Sequence, residues 1–220
     1  MNERPLQRPK PWLNRTVLGI GMASLLSDWS HEIASTVMPS FLAVLGVSAA
    51  WLGLIEGVSD GLSSLAKMGS GFYTDQLTRR KPIAVLGYAV TALGTAAIGF
   101  ATQAWHVLFF RATAWLGRGV RTPVRKALLA GSVEASAYGR AFGFERMMDT
   151  LGAIAGPATA LLLLALFQHN YSSVLLVTLI PGLAAALAIT LLVKERQRRP
   201  VAHISFGARL AALPKAYRRF

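Results

Sequence analysis

Six long apolar segments, separated by short polar ones, divide this chain. Their approximate bounds are residues 16–45, 48–73, 82–101, 104–129, 137–167 and 172–193. Each reaches the roughly 20 residues that a helix needs to cross the hydrocarbon core of a bilayer. The pattern therefore predicts an all-α membrane protein in which six transmembrane helices occupy residues 16–193, between a basic tail (1–15) and a basic, partly amphipathic segment (194–220).

The composition agrees with a membrane protein. Of the 220 residues, 53% are hydrophobic and 15% are charged, and the mean hydropathy is +0.44, whereas ordinary soluble domains are more polar. Cysteine is absent, which excludes disulfides, zinc–thiolate sites and cysteine nucleophiles. The first apolar segment is too long for the core of a signal peptide and contains Asp28 and Glu32, so we expect it to stay in the mature protein.

Lys and Arg are distributed unevenly between the predicted loops. The net charge is +13, and most of the excess lies in the amino-terminal tail, in residues 79–81 and after residue 193, while the loops at 46–47, 102–103 and 168–171 contain no Lys or Arg. Short basic loops stay in the cytoplasm, so we expect a plasma (inner) membrane protein with both termini cytoplasmic. Nucleic-acid binding is not expected, because no aromatic-spaced basic patch or recognition motif accompanies the charge.

Charged residues divide the six predicted helices into two triplets. The third and sixth helices carry no charge over 82–101 and 172–193, whereas the first, second, fourth and fifth all do. Because a charge facing lipid is costly, we expect the charged helices to face protein or water and the uncharged ones to face lipid. The order charged, charged, uncharged occurs twice, as an inverted repeat of three plus three helices would produce.

The polar segment between the second and third helices carries a recognisable pattern. It reads Gly-x-x-x-Asp-x-x-x-Arg-Arg, from Gly71 through Asp75 to Arg79 and Arg80, and it resembles the loop between the second and third helices of major facilitator superfamily (MFS) transporters. The resemblance implies that Gly71 allows close packing and that the three charged residues form a latch on the cytoplasmic side when the transporter opens outward. The alternative is that the cations only set the topology.

The resemblance extends over nearly the whole chain and implies one half of a 12-helix fold. In such a half, the first and fourth helices line the substrate cavity, the second and fifth meet the other half, and the third and sixth face lipid. The chain then corresponds to an amino-terminal half, and residues 194–220 to the start of a central cytoplasmic loop. A second six-helix half, from downstream sequence or from another chain, is the expected partner, together with the lipid bilayer.

Ionisable residues near the middle of the first helix are candidates for coupling. Asp28 and Glu32 share one face at a spacing of four, with His31 beside it. Carboxylates at this depth can bind a proton, a cation or a cationic substrate, because removal from water disfavours their charged form. A metal site is an alternative, but one His and two carboxylates on a single helix support it weakly, and no metal is predicted.

The fourth helix contains Arg111, Arg118, Arg121 and Arg125, the last three at spacings of three and four. Such density of guanidinium groups inside a crossing requires anionic partners, either protein carboxylates or a bound anion. Ion pairing within the protein is favoured, and the candidate carboxylates are Asp28, Glu32, Glu145 and Asp149. Arg111, followed by two glycines, also resembles an MFS fourth-helix motif associated with proton transfer.

Glycines recur at every fourth position in the second and fifth helices. These helix-packing candidates are Gly53, Gly57, Gly61, Gly152 and Gly156, with Pro157 following the last. Small residues at this spacing let another helix approach closely, either within the bundle or in a dynamic role. The Gly-x-x-x-Gly-Pro segment resembles the core of a fifth-helix motif of drug and proton antiporters, and its proline frees a backbone carbonyl and creates a local bend.

These features together predict a secondary active MFS transporter that needs no cofactor and uses the proton gradient to move a small polar or charged solute or a drug, with export favoured over uptake. Asp28, Glu32, Arg118 and Arg121 are expected to contact the solute or to couple it to protons, with Asp149 as an ion-pair partner. An enzyme is not expected, because no nucleophile with a base or metal triad is found. The alternative is a non-transporting membrane half-domain that needs or regulates a partner half.

Overall fold

The computed structural model describes residues 11–74 and 76–195, so Asp75 and most of the two predicted tails lie outside the described residues. The described part is helical and contains no strand. Its α-helices are α1 (Arg15–Val44), α2 (Ala49–Thr74), α3 (Lys81–Ala97), α4 (Ala104–Ala130), α5 (Tyr138–Leu166), α6 (Tyr171–Val177) and α7 (Leu179–Leu192). Single 3-10 turns extend α3 (Ile98–Phe100) and precede α5 (Ala135–Ala137). The first five predicted helices therefore agree with the structure to within a few residues.

The sixth predicted helix, residues 172–193, is divided into α6 and α7 at Thr178. Pro181 lies in the first turn of α7 and has no backbone N–H to donate to the carbonyl four residues earlier. The backbone tightens at this point, where the Thr178 N–H donates to the Leu175 carbonyl at 3.2 Å. The Ser30 hydroxyl of α1 donates to the Thr178 carbonyl at 2.8 Å. The division is thus a local proline effect, stabilised by a neighbouring helix.

Hydrogen bonds between helix ends join four helices in two pairs at one end of the bundle. The Asn14 side chain caps α1 by accepting from the next N–H groups, and its Nδ2 donates to the Ser132 carbonyl at 2.9 Å. The Glu195 carboxylate, just past α7, accepts from the backbone N–H groups of Arg80 and Lys81 at the start of α3. Free N–H groups at a helix start need such acceptors. Asn14 therefore holds the start of α1 next to the end of α4, and Glu195 holds the start of α3 next to the end of α7.

The buried side chains form two apolar clusters with a polar layer between them. One cluster includes Val17, Ile20 and Ala23 of α1, and the other includes residues from Ile33 to Leu42 of the same helix. Between them α1 buries polar groups, namely Ser24, Ser27, Asp28 and Ser30. Burying polar groups is costly unless they find partners, so the middle of the bundle is where polar contacts between helices are expected.

The helices without central charges are more enclosed than expected. α3 and α7 pack against each other. In addition, α3 packs on α4 and α7 packs on α1, and each of the two helices keeps an exposed apolar stripe. Leu86, Leu93 and Phe100 form the stripe on α3. Small residues such as Gly94 and Gly182 allow the close approach, because a Cβ at either position would lie within 3.0 Å of a neighbouring helix. An uncharged helix can thus pack tightly on one side and present apolar side chains on the other.

Three described helical stretches are long and apolar enough to cross a membrane by length and composition. They are Lys81–Phe100, Ala135–Leu166 and Tyr171–Leu192, with mean hydropathies of 1.8, 1.6 and 2.4 over their most apolar windows. α1, α2 and α4 have similar lengths, but charged side chains are spread along them, whereas those of α5 all lie in its first half. The predicted six crossings therefore include three that depend on how those charges are accommodated.

The two glycine ladders have different surroundings. Gly152 and Gly156 of α5 are pressed against α1, where an added Cβ would collide with the Leu25 carbonyl or with Glu32. Gly53, Gly57 and Gly61 of α2 have no neighbour within 4 Å of such a Cβ. α2 instead packs on α4 through a narrow stripe of Ile55, Ser59 and Ser63. The α5 glycines thus act in helix packing, whereas the α2 ladder lies on an open face of the bundle.

We expect Gly156→Ala to destabilise the bundle, because its Cβ would lie 3.1 Å from the Glu32 carbonyl carbon and closer still to the Glu32 Cβ. Overpacking of this kind costs about 1–3 kcal/mol. The measurement is the melting temperature of residues 1–220, purified in detergent. Gly57→Ala is the matched control: its Cβ meets open space within the described residues, so the melting temperature should stay the same or rise slightly, because alanine favours a helix more than glycine does. Equal effects of the two substitutions would contradict the assignment of these glycines.

Candidate functional site

Three ion pairs connect α4 to the other charged helices. Arg111 Nη2 lies 2.8 Å from Glu56 Oε1 of α2. Arg118 Nη2 lies 3.0 Å from Asp28 Oδ1 of α1, and Arg125 Nη2 lies 2.6 Å from Glu145 Oε1 of α5. In each pair α4 supplies the cation and a different helix supplies the carboxylate. The arginines of α4 therefore determine which carboxylates of α1, α2 and α5 can lie beside it.

The Arg125–Glu145 pair belongs to a buried hydrogen-bond network. Arg125 Nη1 donates to the Ser24 hydroxyl at 2.7 Å and to the Tyr88 hydroxyl at 3.4 Å. The Ser24 hydroxyl in turn donates to Glu145 Oε1 at 3.3 Å. Only 11% of the Arg125 side chain and 8% of the Glu145 side chain are exposed. A buried pair needs such additional hydrogen bonds to offset its loss of hydration.

Arg121 differs from its neighbours on α4, because no carboxylate of the described residues lies within ion-pair distance of it. Its exposed fraction is 2%. Its Nη2 donates to the Ser27 hydroxyl at 2.6 Å, and its guanidinium lies 3.9 Å from the centre of the Tyr88 ring. Within the part of the chain that the structure describes, its Nε and Nη1 have no hydrogen-bond partner. Arg121 is thus a buried cation held by one hydroxyl and one aromatic face.

A cavity of about 230 Å³ lies between the charged helices. α1, α2, α4 and α5 supply its lining, whereas α3 and α7 supply none of it. The lining contains six basic and three acidic side chains, together with Thr122. The basic ones are Lys67, Arg118, Arg121, Arg125, Lys126 and Arg146, and the acidic ones are Asp28, Glu145 and Asp149. This is a polar, electropositive space within an otherwise apolar bundle.

His31 and Glu32 lie one turn along α1 from the cavity-lining Asp28. The His31 ring meets the Trp115 ring edge-on, with centroids 5.3 Å apart, and its Nε2 lies 3.5 Å from the Ser35 hydroxyl. Glu32 is partly buried and forms no ion pair or side-chain hydrogen bond with the described residues. The two carboxylates of this turn therefore differ, since one is paired with a guanidinium and the other is not.

The structure brings together most of the predicted site but assigns different partners. Arg118 and Arg121 lie beside Asp28 or its neighbours, as the sequence suggested for the fourth and first helices. Asp149 pairs instead with Arg146 of its own helix at 3.0 Å. Arg111 pairs with Glu56, a carboxylate that was absent from the predicted partners although its position within an apolar helix could have revealed it.

The latch residues are described only in part, because Asp75 lies outside the described residues. A Cβ at Gly71 would lie 3.9 Å from Pro123 of α4, which is ordinary contact. Arg80 Nε donates to the Thr74 carbonyl at 2.8 Å, and Arg79 is exposed. The latch therefore stays a prediction.

An all-helical bundle with a charged cavity between apolar clusters has the architecture of a membrane transporter domain. A family model of the Major Facilitator Superfamily matches residues 20–219, and the chain belongs to this superfamily. Membership makes it an integral membrane protein and points to a transporter and not to an enzyme.

Individual relatives agree with this classification. An uncharacterized MFS-type transporter of Methanocaldococcus jannaschii is 26% identical over 94% of this chain and 52% of its own length. An uncharacterized protein of Mycobacterium tuberculosis is 30% identical over 84% of this chain and 45% of its own length. The multidrug resistance protein MdtH of Citrobacter koseri is 31% identical over 55% of this chain and 30% of its own length. The chain thus spans about half the length of the first two curated relatives.

The fold is that of solved MFS structures. A bacterial homolog of the human lysosomal transporter Spinster, in an inward-facing and unoccupied conformation, superposes with a TM-score of 0.74 at 17% identity, over 97% of this chain and 50% of that one. Its inward-facing and occupied conformation gives 0.69 at 19% identity, over 83% of this chain and 44% of that one. At this level of identity the comparison establishes the fold alone.

We expect Glu145→Gln to destabilise the protein, because it leaves the Arg125 charge buried without its counter-ion. Breaking a buried pair costs about 3 kcal/mol or more, which for a chain of this size lowers the melting temperature by roughly 6 °C or more. Arg146→Gln is the matched control, since 78% of that side chain is exposed and exposed pairs contribute little. A partial recovery in the Arg125→Gln/Glu145→Gln double variant is expected, and similar melting temperatures for both single variants would contradict the assignment.

Proposed function

We propose that the chain forms part of a secondary active transporter that moves a small polar or charged solute by alternating access and is driven by protons. The observation that carries the proposal is the arrangement of the charged helices: all four line one cavity of about 230 Å³, and the helices without central charges supply none of its lining. Ionisable residues within membrane helices are costly, and where they line a polar cavity they mark solute or proton pathways.

The proposed architecture is a bundle of six membrane crossings, related as a 3+3 inverted repeat, in residues 16–193. The helix contacts support it: α1 packs on α5 and α7, while α4 packs on α2 and α3. These contacts exchange when α1, α2 and α3 are swapped with α4, α5 and α6–α7, as a two-fold relation between two triplets requires. The order of charged and uncharged helices along the sequence, which is the same in both triplets, is consistent with this repeat.

The proposed orientation places both termini, with the tails 1–15 and 194–220, in the cytoplasm of a cell with this protein in its plasma (inner) membrane. Basic side chains at one end of the bundle support it. Arg15, Arg80, Arg140 and Lys194 border one pocket of about 680 Å³ there, whereas the loops at the opposite end contain no Lys or Arg. This asymmetry is the one that the positive-inside rule describes.

A second six-helix half is the proposed partner, supplied by the same gene or by another chain. The open glycine face of α2 and the exposed apolar side of α5 support it, since both lack a neighbour within the described residues. Alternating access requires two halves that move around a central site. The alternative proposal is a half-domain that does not transport by itself and regulates a partner.

Glu32 is the proposed proton-binding residue, with the Asp28–Arg118 pair as the element that responds to it. Glu32 is close to the cavity and has no ion-pair partner in the described chain, so a proton can bind it without first breaking a pair. His31 and Arg111 are proposed to support this region through Trp115, and Asp149 through its contact with Arg146. The segment of Gly71, Asp75, Arg79 and Arg80 is the proposed cytoplasmic latch.

Export is the proposed direction, and multidrug export is the second candidate function. The likeness to MdtH over 124 residues favours it, as does the antiporter-like segment from Gly152 to Pro157.

Everted vesicles from cells that produce the complete encoded protein would test the proposal. A fluorescent pH probe would report proton movement when succinate, inorganic phosphate or ethidium is added. Reconstituted residues 1–220 alone, without flux where the complete protein gives it, would support the need for a second half.

We expect Glu32→Gln to abolish solute-driven proton movement in these vesicles and to preserve solute exchange between two equal pools, because the amide cannot release a proton but retains its shape and polarity. Glu134→Gln is the control, since that carboxylate is exposed and lies outside the charged cavity. Proton movement at the wild-type rate in Glu32→Gln would exclude Glu32 as the coupling residue.

A further inference from the structure

We propose that the cavity lined by α1, α2, α4 and α5 binds an oxyanion, a small solute that carries a carboxylate or phosphate group, and that Arg121 is its principal ligand. This inference rests on the proposed function, because it names the substrate class of the same cavity. It also goes beyond it, since an MFS fold accommodates solutes of either charge and neither the relatives nor the structural neighbours name a solute class for this cavity.

The charge balance of the lining is the first argument. Each of the three carboxylates already has a partner: Asp28 pairs with Arg118, Glu145 with Arg125 and Asp149 with Arg146. The remaining cations of the cavity, Lys67, Arg121 and Lys126, pair with no carboxylate among the described residues. The cavity therefore carries an excess of three positive charges after internal pairing is complete.

The environment of Arg121 is the second argument. Its guanidinium is buried, and its only hydrogen bond within the described chain goes to the Ser27 hydroxyl. A buried charge without a counter-ion is strongly unfavourable, and a cation over an aromatic ring offsets only part of this cost. The free Nε and Nη1 donors of Arg121 suit an oxyanion, because guanidinium groups bind carboxylate and phosphate oxygens through several N–H groups at once.

Further unpaired donors lie on either side of Arg121. Within the described residues, Arg118 Nη1 and Arg125 Nε are also buried without a hydrogen-bond partner. Both side chains line the cavity and keep their carboxylate partners through their Nη2 atoms. The exposed Lys67 and Lys126 add positive charge at its edge. Together these groups form a cation-lined recess around a fully buried guanidinium.

The size of the cavity suits a small solute. Its volume of about 230 Å³ equals roughly seven to eight water molecules at about 30 Å³ each. A phosphate ion or a short dicarboxylate fits this volume with part of its hydration. A single carboxylate from a second half of the transporter is the competing occupant, but it would neutralise only one of the three excess charges.

Binding to the complete encoded protein, purified in detergent, tests the inference. The probes are succinate, inorganic phosphate and, as a cation small enough for the same cavity, tetramethylammonium. Isothermal titration at low ionic strength should show saturable binding of at least one of the two anions and no saturable binding of tetramethylammonium at the same site. Which anion binds more tightly distinguishes a carboxylate from a phosphate ligand.

Variants connect the binding to the cavity. Arg121→Gln should weaken anion binding at least about tenfold, because a hydrogen bond to a charged group is stronger than one between neutral groups. Because that variant removes a buried side chain and could disturb the fold, Lys67→Gln provides a second test. The Lys67 side chain is exposed, so the fold should be unaffected. Anion binding should weaken about two- to fivefold, because one positive charge at the edge of the cavity is removed. Arg140→Gln, exposed on α5 and outside the cavity, should bind as the wild type does.

Two results would overturn the inference. One is no saturable binding of either anion, as expected if a carboxylate of another protein segment occupies the recess. The other is unchanged anion binding in both Lys67→Gln and a folded Arg121→Gln. Proton-linked flux of ethidium without anion binding would refute the oxyanion site and leave the transporter proposal intact. Anion binding without flux of any probe would support the oxyanion site and contradict the transporter proposal.

Discussion

The cost of removing charge from water is the constraint on which this structure depends. α4 carries a row of guanidinium groups through the middle of an apolar bundle, and each unpaired one would cost several kcal/mol. Arg111, Arg118 and Arg125 meet this constraint by reaching three different helices, α2, α1 and α5. In this position α4 reaches all three carboxylates, and the polar layer lies where these pairs meet.

The two apolar clusters on either side of that layer also help to keep the charged groups paired. They hold the helices close, and close packing keeps the ion pairs at hydrogen-bond distance. The contacts between α5 and α1 depend on glycine, because Gly152 and Gly156 leave no room for a side chain against Leu25 and Glu32. The same contact positions Glu145 beside Arg125, so that backbone packing and electrostatics support each other in this interface.

Among the less exposed charged groups near the cavity, Arg121 and Glu32 have no ion-pair partner within the described residues, and we propose that they take part in transport. Arg121 keeps unpaired donors, and Glu32 has no ion-pair partner within the described residues. In the proposed transporter an anion and a proton satisfy these two groups in turn. The nearby Asp28–Arg118 pair spans α1 and α4, so a change in its charge balance would alter the contact between two cavity-lining helices. Binding and conformational change would then involve the same side chains.

The sequence by itself determined the first five helices, the separation of charged from uncharged ones, the basic loops and the resemblance to the superfamily, but not the division of the sixth helix at Thr178. These features depend on local length, polarity and motif spacing, and a long apolar run carries them without any information about its neighbours. It also indicated that the arginines of the fourth helix need anions, and it named Asp28 and Glu145 among the candidate partners that the structure then paired.

Only the tertiary structure decided which anion meets which cation and which glycines are packed. Arg111 pairs with Glu56 and not with one of the predicted carboxylates, and Asp149 pairs with Arg146 of its own helix. The α2 glycines lie on an open face of the bundle. The reason is geometric: pairing across helices depends on the rotation and axial offset of each helix relative to its neighbours, and a difference of one residue turns a side chain by about 100°. Spacing within one helix cannot supply that relation.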